Sequence, residues 1–315
     1  MRLTRLGGCA AILLAASCSS ESVTPESAPN LSASAAVEDG PVSAQLARIN
    51  DSLAALGLNI AVQKAEFVLA PGAPLPASGQ IVFANDRAKR LTSRWVSNDA
   101  RRAADGSRLT FMSVTPFMPA NGAGNAEGAI DASFETWNDM TCTTLDIVKR
   151  PWNGGNPSAI LSVGGLSPVS VFSADIVTMG FLPGFIFDAV LGPGASSSVL
   201  GVTFTFVFLE SAGGPESDID GDGRTDTALK EIWYNNDFDW TLSGLGNDID
   251  VETVALHENG HAFELGHYGR IFGTLGNLKL HVSPRAVMNA VILGTLRSPK
   301  GSDNAGYCGN FAEWE

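Results

Sequence analysis

Positive charge is scarce in this chain: 20 lysines and arginines stand against 33 aspartates and glutamates, a formal net charge of −13 over 315 residues. Phosphate backbones are held by basic patches, so nucleic acid is excluded as the main partner. An acidic surface suits a soluble protein that must not adhere to anionic surfaces. Long apolar runs are equally scarce. Residues 6–16 are too short to cross a bilayer. Residues 181–198 are apolar but interrupted by Pro183, Gly184, Gly192, Pro193 and Gly194, and read as a buried irregular loop. No internal repeat is visible. Cysteine and histidine are each limited to four, so their positions carry weight.

Arg2 and Arg5 precede the apolar segment, and Ala15, Ala16 and Ser17 are small residues suited to a signal peptidase. Residues 1–18 therefore read as an export signal. Leu14-Ala15-Ala16-Ser17-Cys18 looks like a bacterial lipobox, except that Ala15 stands where leucine is usual. Lipidation at Cys18 and ordinary cleavage with free release both stay open. The expected location is outside the cell or in its envelope, and any membrane contact would run through that anchor. Cys9 and Cys18 lie in the signal, which leaves Cys142 and Cys308 for the mature body. In an oxidising compartment a leftover pair becomes a disulfide, the alternative being two buried thiols.

Residues 19–42 are rich in Ser, Ala, Pro and Glu and too poor in apolar groups to order themselves, so they read as a flexible tether. Residues 43–56 place Leu46, Ile49, Leu53 and Leu56 at helical spacing, with Gly57 as terminator. Residues 60–69 and 81–83 read as strands around a Pro/Gly loop at 71–78. Together, 43–94 form a small preface or pro-segment. From 95 to 315 the pattern is that of a mixed α/β (α+β) domain. Strands are expected at 108–115, 146–148, 175–179, 199–209 and 232–234. Helices are expected at 126–140 and 251–263, and 153–168 reads as loop.

The decisive stretch is His257-Glu258-Asn259-Gly260-His261-Ala262-Phe263-Glu264-Leu265-Gly266-His267. Residues four apart on an α-helix lie roughly 40° apart around the axis, one turn up. His257 and His261 can therefore present two imidazoles to one ion at about 2.0–2.1 Å. Glu258, one position round, is placed to face a metal-bound water rather than the metal itself. A catalytic zinc keeps three protein ligands and one open position, and His267 supplies the third if the chain turns sharply after His261. The fourth histidine, His281, stands outside the motif.

This pattern resembles the metzincin clan of zinc metalloproteases, in the matrixin-like, bacterial secreted type, whose motif is H-E-x-x-H-x-x-G-x-x-H followed by a methionine turn. Glu264 occupies the family's glycine position, which is expected to adopt positive φ, and Gly266 is the expected compensating flexible point. Ala286-Val287-Met288-Asn289-Ala290 matches the methionine turn, so Met288 would form an apolar floor beneath zinc. Ala290 leaves no astacin-type tyrosine ligand. The resemblance spans 95–315. It implies a twisted, mainly parallel sheet, an active-site helix and a closing C-terminal helix at 303–314. It also implies a first helix and following strand within 130–147, a cleft-edge strand at 201–208, and a further strand at 231–237. Cys142 after the first helix and Cys308 in the last would be joined. The preface contains no cysteine, so a thiolate blocking the zinc from there is excluded.

Asp218-Ile219-Asp220-Gly221-Asp222-Gly223-Arg224-Thr225-Asp226 has the carboxylate spacing of calcium loops. Leu229 stands where an EF-hand has its bidentate glutamate, and Glu231 is the candidate late ligand; the other reading is a solvated acidic hairpin. The expected function is zinc-dependent endopeptidase action on a peptide or protein laid along 199–205, with Glu258 as general base. The rival is a non-catalytic zinc-containing surface lipoprotein used for binding or adhesion.

Overall fold

A computed structural model describes residues 41–73, 81–83, 93–104, 106–165, 172–274 and 279–315. The expected export signal with Cys9 and Cys18, and the expected tether up to residue 40, lie outside the described residues. Helix α1 (Pro41–Ala55) leads into strands β1 (Ile60–Leu69), β2 (Ile81–Phe83), β3 (Ser93–Arg94) and β4 (Leu109–Ser113). A small ribbon, β5 (Pro119–Ala120) with β6 (Gly124–Asn125), precedes helix α2 (Glu127–Asn138) and strand β7 (Ile147–Lys149). Then come α3 (Ala159–Val163), β8 (Ile176–Leu182), α4 (Gly184–Leu191), β9 (Val199–Phe208) and β10 (Thr225–Asn235). The short strands β11 (Trp240–Thr241) and β12 (Ile249–Asp250) introduce α5 (Val251–Ala262), and a hairpin, β13 (Arg270–Thr274) with β14 (Lys279–Ser283), precedes α6 (Gly301–Phe311).

The central sheet runs β2-β1-β9-β10-β8-β4-β7, with β3 also pairing to β10. Strands β10, β8, β4 and β7 are parallel to one another, whereas β9 is antiparallel to β10, β1 to β9 and β2 to β1. This mixed, mostly parallel sheet is covered on both faces. On one face Ile130, Phe134 and Trp137 of α2 join Val254 and Leu256 of α5 and Tyr307 and Phe311 of α6. On the other, Leu46, Ile49 and Leu53 of α1 meet Ile160 of α3, Phe187 and Leu191 of α4, and Phe204 and Phe206 of β9. The helical spacing of Leu46, Ile49 and Leu53 is thus the buried face of α1, while Leu56 is exposed. Among the described residues no helix is long and apolar enough to cross a membrane.

Three expectations are revised by the tertiary structure. The preface is not set apart: β1 is an interior strand of the main sheet, between β2 and β9, and α1 covers it. Strand β9 is consequently not a free edge, because β1 pairs along it from Ile60↔Phe208 to Leu69↔Val199. The apolar stretch 181–198 and the Gly/Pro-rich stretch 153–168 each contain a short helix, α4 and α3. Several breakers sit at helix ends, where they are tolerated: Pro183 precedes α4, Gly192 terminates it and Gly164 terminates α3. The Cys142–Cys308 disulfide is formed, with Cα atoms 5.7 Å apart across a sequence separation of 166. It ties the segment after α2 to α6.

Candidate metal centre

Helix α5 begins where Asp250 caps it, its carboxylate accepting the Thr253 N–H at 3.0 Å. Arg297 also binds that carboxylate and holds its pKa low; hydrogen bonds from Arg297 and Thr253 outweigh the upward push of burial. The helix is packed on two sides. Trp137 Nε1 donates to Leu256 O, and Asn259 Nδ2 to Ser133 Oγ, which ties α5 to α2. At its far end Trp95 Nε1 donates to Ala262 O.

The helix ends in a Schellman turn: Glu264 N–H donates to His261 O at 3.0 Å and Leu265 N–H to Gly260 O at 2.9 Å. That motif needs a left-handed residue, and Glu264 supplies it with φ +63°. Gly266 is not among the residues with positive φ, so the expected shift of the flexible point does not occur. Glu264 is held there by its side chain. Lys230 Nζ lies 3.0 Å from Oε2, Ser93 Oγ donates to Oε2 at 3.0 Å, and Thr227 Oγ1 donates to Oε1 at 2.6 Å. Lys230 is fully buried, donates also to Thr205 Oγ1, and has its pKa lowered chiefly by burial. The sharp turn is therefore fixed by a buried ion pair where a glycine would have fixed it by freedom of the backbone.

The turn brings His267 back to the helix. The three Nε2 atoms lie 3.0 Å (His257–His261), 3.1 Å (His261–His267) and 3.3 Å (His257–His267) apart. Ligand atoms around a tetrahedral zinc at about 2.0–2.1 Å stand roughly 3.3–3.4 Å apart, so the three nitrogens have nearly that spacing. The outward nitrogens are also set. His257 Nδ1 meets Val287 O at 2.7 Å and His261 Nδ1 meets Leu265 O at 2.7 Å. A carbonyl only accepts, so each Nδ1 carries the proton and each Nε2 turns a lone pair inward. Burial drives all three imidazoles toward neutrality, with His257 lowered to about 4 and His261 and His267 well below their ordinary value. His281 stands apart, stacked on Phe272 in the β13–β14 hairpin.

Glu258 points from α5 toward the sheet, fully buried. Thr203 Oγ1 donates to its Oε2 at 2.7 Å, while Oε1 has no hydrogen-bond partner among the described residues. Its pKa is raised well above the usual carboxylate range, first by burial and further by nearby Glu66; Thr203 and the Val68 amide oppose that rise. Gly201 makes room for it, since a Cβ there would lie 2.9 Å from Glu258 Cγ and Oε1. Met288 is buried beneath the helix at Gly260, where a Cβ would collide with its Sδ. The turn at Val287 and Met288 is anchored by Asp303 of α6, which accepts from Val287 N–H at 2.9 Å and Met288 N–H at 3.1 Å.

The site is also two-faced by strand alternation. Toward α5, Lys64 and Glu66 of β1, Thr203 and Thr205 of β9 and Lys230 of β10 form a polar stripe. Glu66 Oε1 lies 3.6 Å from His261 Nδ1, and Lys64 Nζ lies 2.9 Å from Glu66 Oε2. Burial presses the Lys64 pKa down, but Glu66 and Glu264 outweigh it and raise the value. Sequence reasoning named none of Glu66, Gly201, Thr203, Lys230 or Asp303. A signal existed for Gly201 alone: an isolated glycine inside a β-branched run marks a close approach.

The acidic turn divides. Carboxylate oxygens of Asp218, Asp220 and Asp222 lie within 4.8 Å of one another at the surface. Asp226, expected with them, is instead buried, bonded by Arg101 at 2.7 Å and by Ser217 Oγ at 2.6 Å. Glu231 does not reach the turn either; its buried carboxylate accepts from Ser158, Ala159 N–H and Trp233 Nε1. Comparison of the chain with protein-family models and with curated proteins finds no match.

Proposed function

We propose that the chain is a zinc-dependent endopeptidase of metzincin type, matrixin-like. The observation that carries this reading is the convergence of three imidazole Nε2 atoms, two of them oriented by Nδ1 hydrogen bonds, beside a buried glutamate with one unpaired oxygen. A bound zinc would polarise a scissile carbonyl and acidify a water in its open position. His257, His261 and His267 would hold it. Glu258 would take the water's proton at Oε1 and return it to the leaving amine, while Thr203 fixes Oε2 and so aims the free oxygen. Gly201 keeps the space that the carboxylate needs in that position. A zinc kept only for structure would be fully enclosed by its ligands and would have no use for an unpaired acid beside it.

The test is peptide hydrolysis by exported, zinc-loaded protein. Chelation should abolish turnover and zinc should restore it. Glu258→Gln should retain zinc and lose turnover on the order of 10²–10⁴-fold. Turnover of the Glu258→Gln variant at the parent rate would eliminate Glu258 as the base. A folded, zinc-replete chain that cleaves no peptide in any form would favour the adhesion reading.

A further inference from the structure

Residues 66–70 run through a slot that is paired on both sides. On one side β1 is antiparallel to β9, with Glu66 opposite Thr203, Val68 opposite Gly201 and Leu69 opposite Val199. On the other, Leu69 bridges in parallel to Val291, just beyond Met288. There Leu69 N–H donates to Ala290 O at 3.2 Å and Ile292 N–H donates to Leu69 O at 3.3 Å. Ala70 N–H then donates to Ser198 O at 2.9 Å. The centre of this slot is Glu258: Gly201 and Thr203, the residues facing Val68 and Glu66, are the ones that touch its carboxylate.

An extended peptide bound by strand addition needs an open row of backbone groups beside the reacting residues. Here the row on β9 and the row at 290–292 are both taken by the chain's own backbone. We infer that β1 is an intramolecular occupant of the peptide slot and holds the chain latent, an inference that rests on the peptidase reading above. The occupant is tethered, so a free peptide competes against an effective concentration of millimolar order. It is also anchored on the opposite face of the sheet, because Ala65 and Leu69 of β1 share a core with Leu46, Ile49 and Leu53 of α1. No cysteine takes part. The block is made of main-chain hydrogen bonds, with Val68 paired to Gly201 beside Glu258 and with Glu66 beside His261.

The experiment uses the full chain with cobalt in place of zinc and Glu258→Gln to prevent self-cleavage. A recognition sequence for a site-specific protease is inserted at the exposed turn of Pro71 and Gly72. A peptide hydroxamate is the probe, and the cobalt absorption band reports its arrival at the metal. Cutting after β1 should tighten probe binding at least about tenfold, and a synthetic peptide of sequence 60–70 should reverse the gain. Equal binding before and after a complete cut overturns the proposal. The second measurement is hydrogen exchange in the uncut chain, with the probe driven to about 10 mM, above the tether's effective concentration. The Leu69 and Ala70 amides should exchange at least about tenfold faster once the probe reaches the metal. A probe that reaches the metal while those amides stay protected makes β1 a permanent strand and ends the inference. Turnover by the Glu258 form separates the two readings. A cut chain that binds the probe but cleaves nothing keeps latency and removes the peptidase. An uncut chain that cleaves at the rate of the cut one, with β1 protected, does the reverse.

Discussion

Replacing Glu264 by glycine should destabilise this protein, although glycine suits the local backbone better. Glu264 sits at φ +63°, a conformation that costs an L-residue about 1–2 kcal/mol and glycine almost nothing. On backbone grounds alone Glu264→Gly is stabilising by that amount. The side chain argues the opposite. Its carboxylate is 6% exposed and lies 3.0 Å from Lys230 Nζ, whose side chain is 0% exposed. Removing one partner of a buried pair leaves the other charge desolvated, at about 3–5 kcal/mol. The net expectation is a loss of about 1–4 kcal/mol. Urea unfolding of the parent and variant at a fixed zinc concentration would measure it. Adding Lys230→Met to Glu264→Gly should recover most of the loss, because the stranded ammonium is gone and an apolar chain fills its place. The variant at 264 should also bind zinc more weakly, since the turn that returns His267 is no longer pinned to β10. A Glu264→Gly chain as stable as the parent, or more so, would show that the ion pair contributes nothing and that backbone strain alone governs the position.

Cys142→Ser with Cys308→Ser should lower stability by up to about 5 kcal/mol, the chain-entropy value for a loop of this length, measured by denaturant unfolding; an unchanged midpoint would show that the bond only decorates contacts already made. Burial raises the Glu231 pKa to about 7, so the folded state keeps a proton that the unfolded chain releases. The stability from this group is full below about pH 4.5 and is lost as pH rises through about 7, at most about 3 kcal/mol. Glu231→Gln should remove that slope from the stability profile between pH 5 and 7, and an identical slope in the variant would refute the assignment. Calcium should raise the parent's melting temperature through Asp218, Asp220 and Asp222. Asp220→Ala with Asp222→Ala should cancel the rise and leave zinc content intact, whereas equal titrations of the two proteins would make the turn a solvated loop.

The three histidines of the candidate metal centre were legible because they are local. His257 and His261 share a helix face by the period of the helix, and His267 follows within six residues of His261, so one turn suffices to gather all three. The buried faces of α1 and α2 and the run of β9 were legible for the same reason, since side-chain periodicity states which positions face a core. The tertiary structure alone decided what those elements meet. Glu264 holds a left-handed turn because Lys230, from a strand 34 positions earlier in the chain, reaches it across the sheet. Gly201 and Thr203 shape the pocket of Glu258 from more than fifty positions away. The acidic turn shows the limit from the other side: its spacing gathers Asp218, Asp220 and Asp222, but Asp226 is drawn inward by Arg101, a partner no spacing rule names. The position of β1 is the largest such case. An amphipathic strand can pair with any edge of matching register, and its own residues do not say which. The sheet settles it: beside β9, Lys64 and Glu66 join the polar stripe under α5 while Ala65 and Leu69 face the apolar layer of α1.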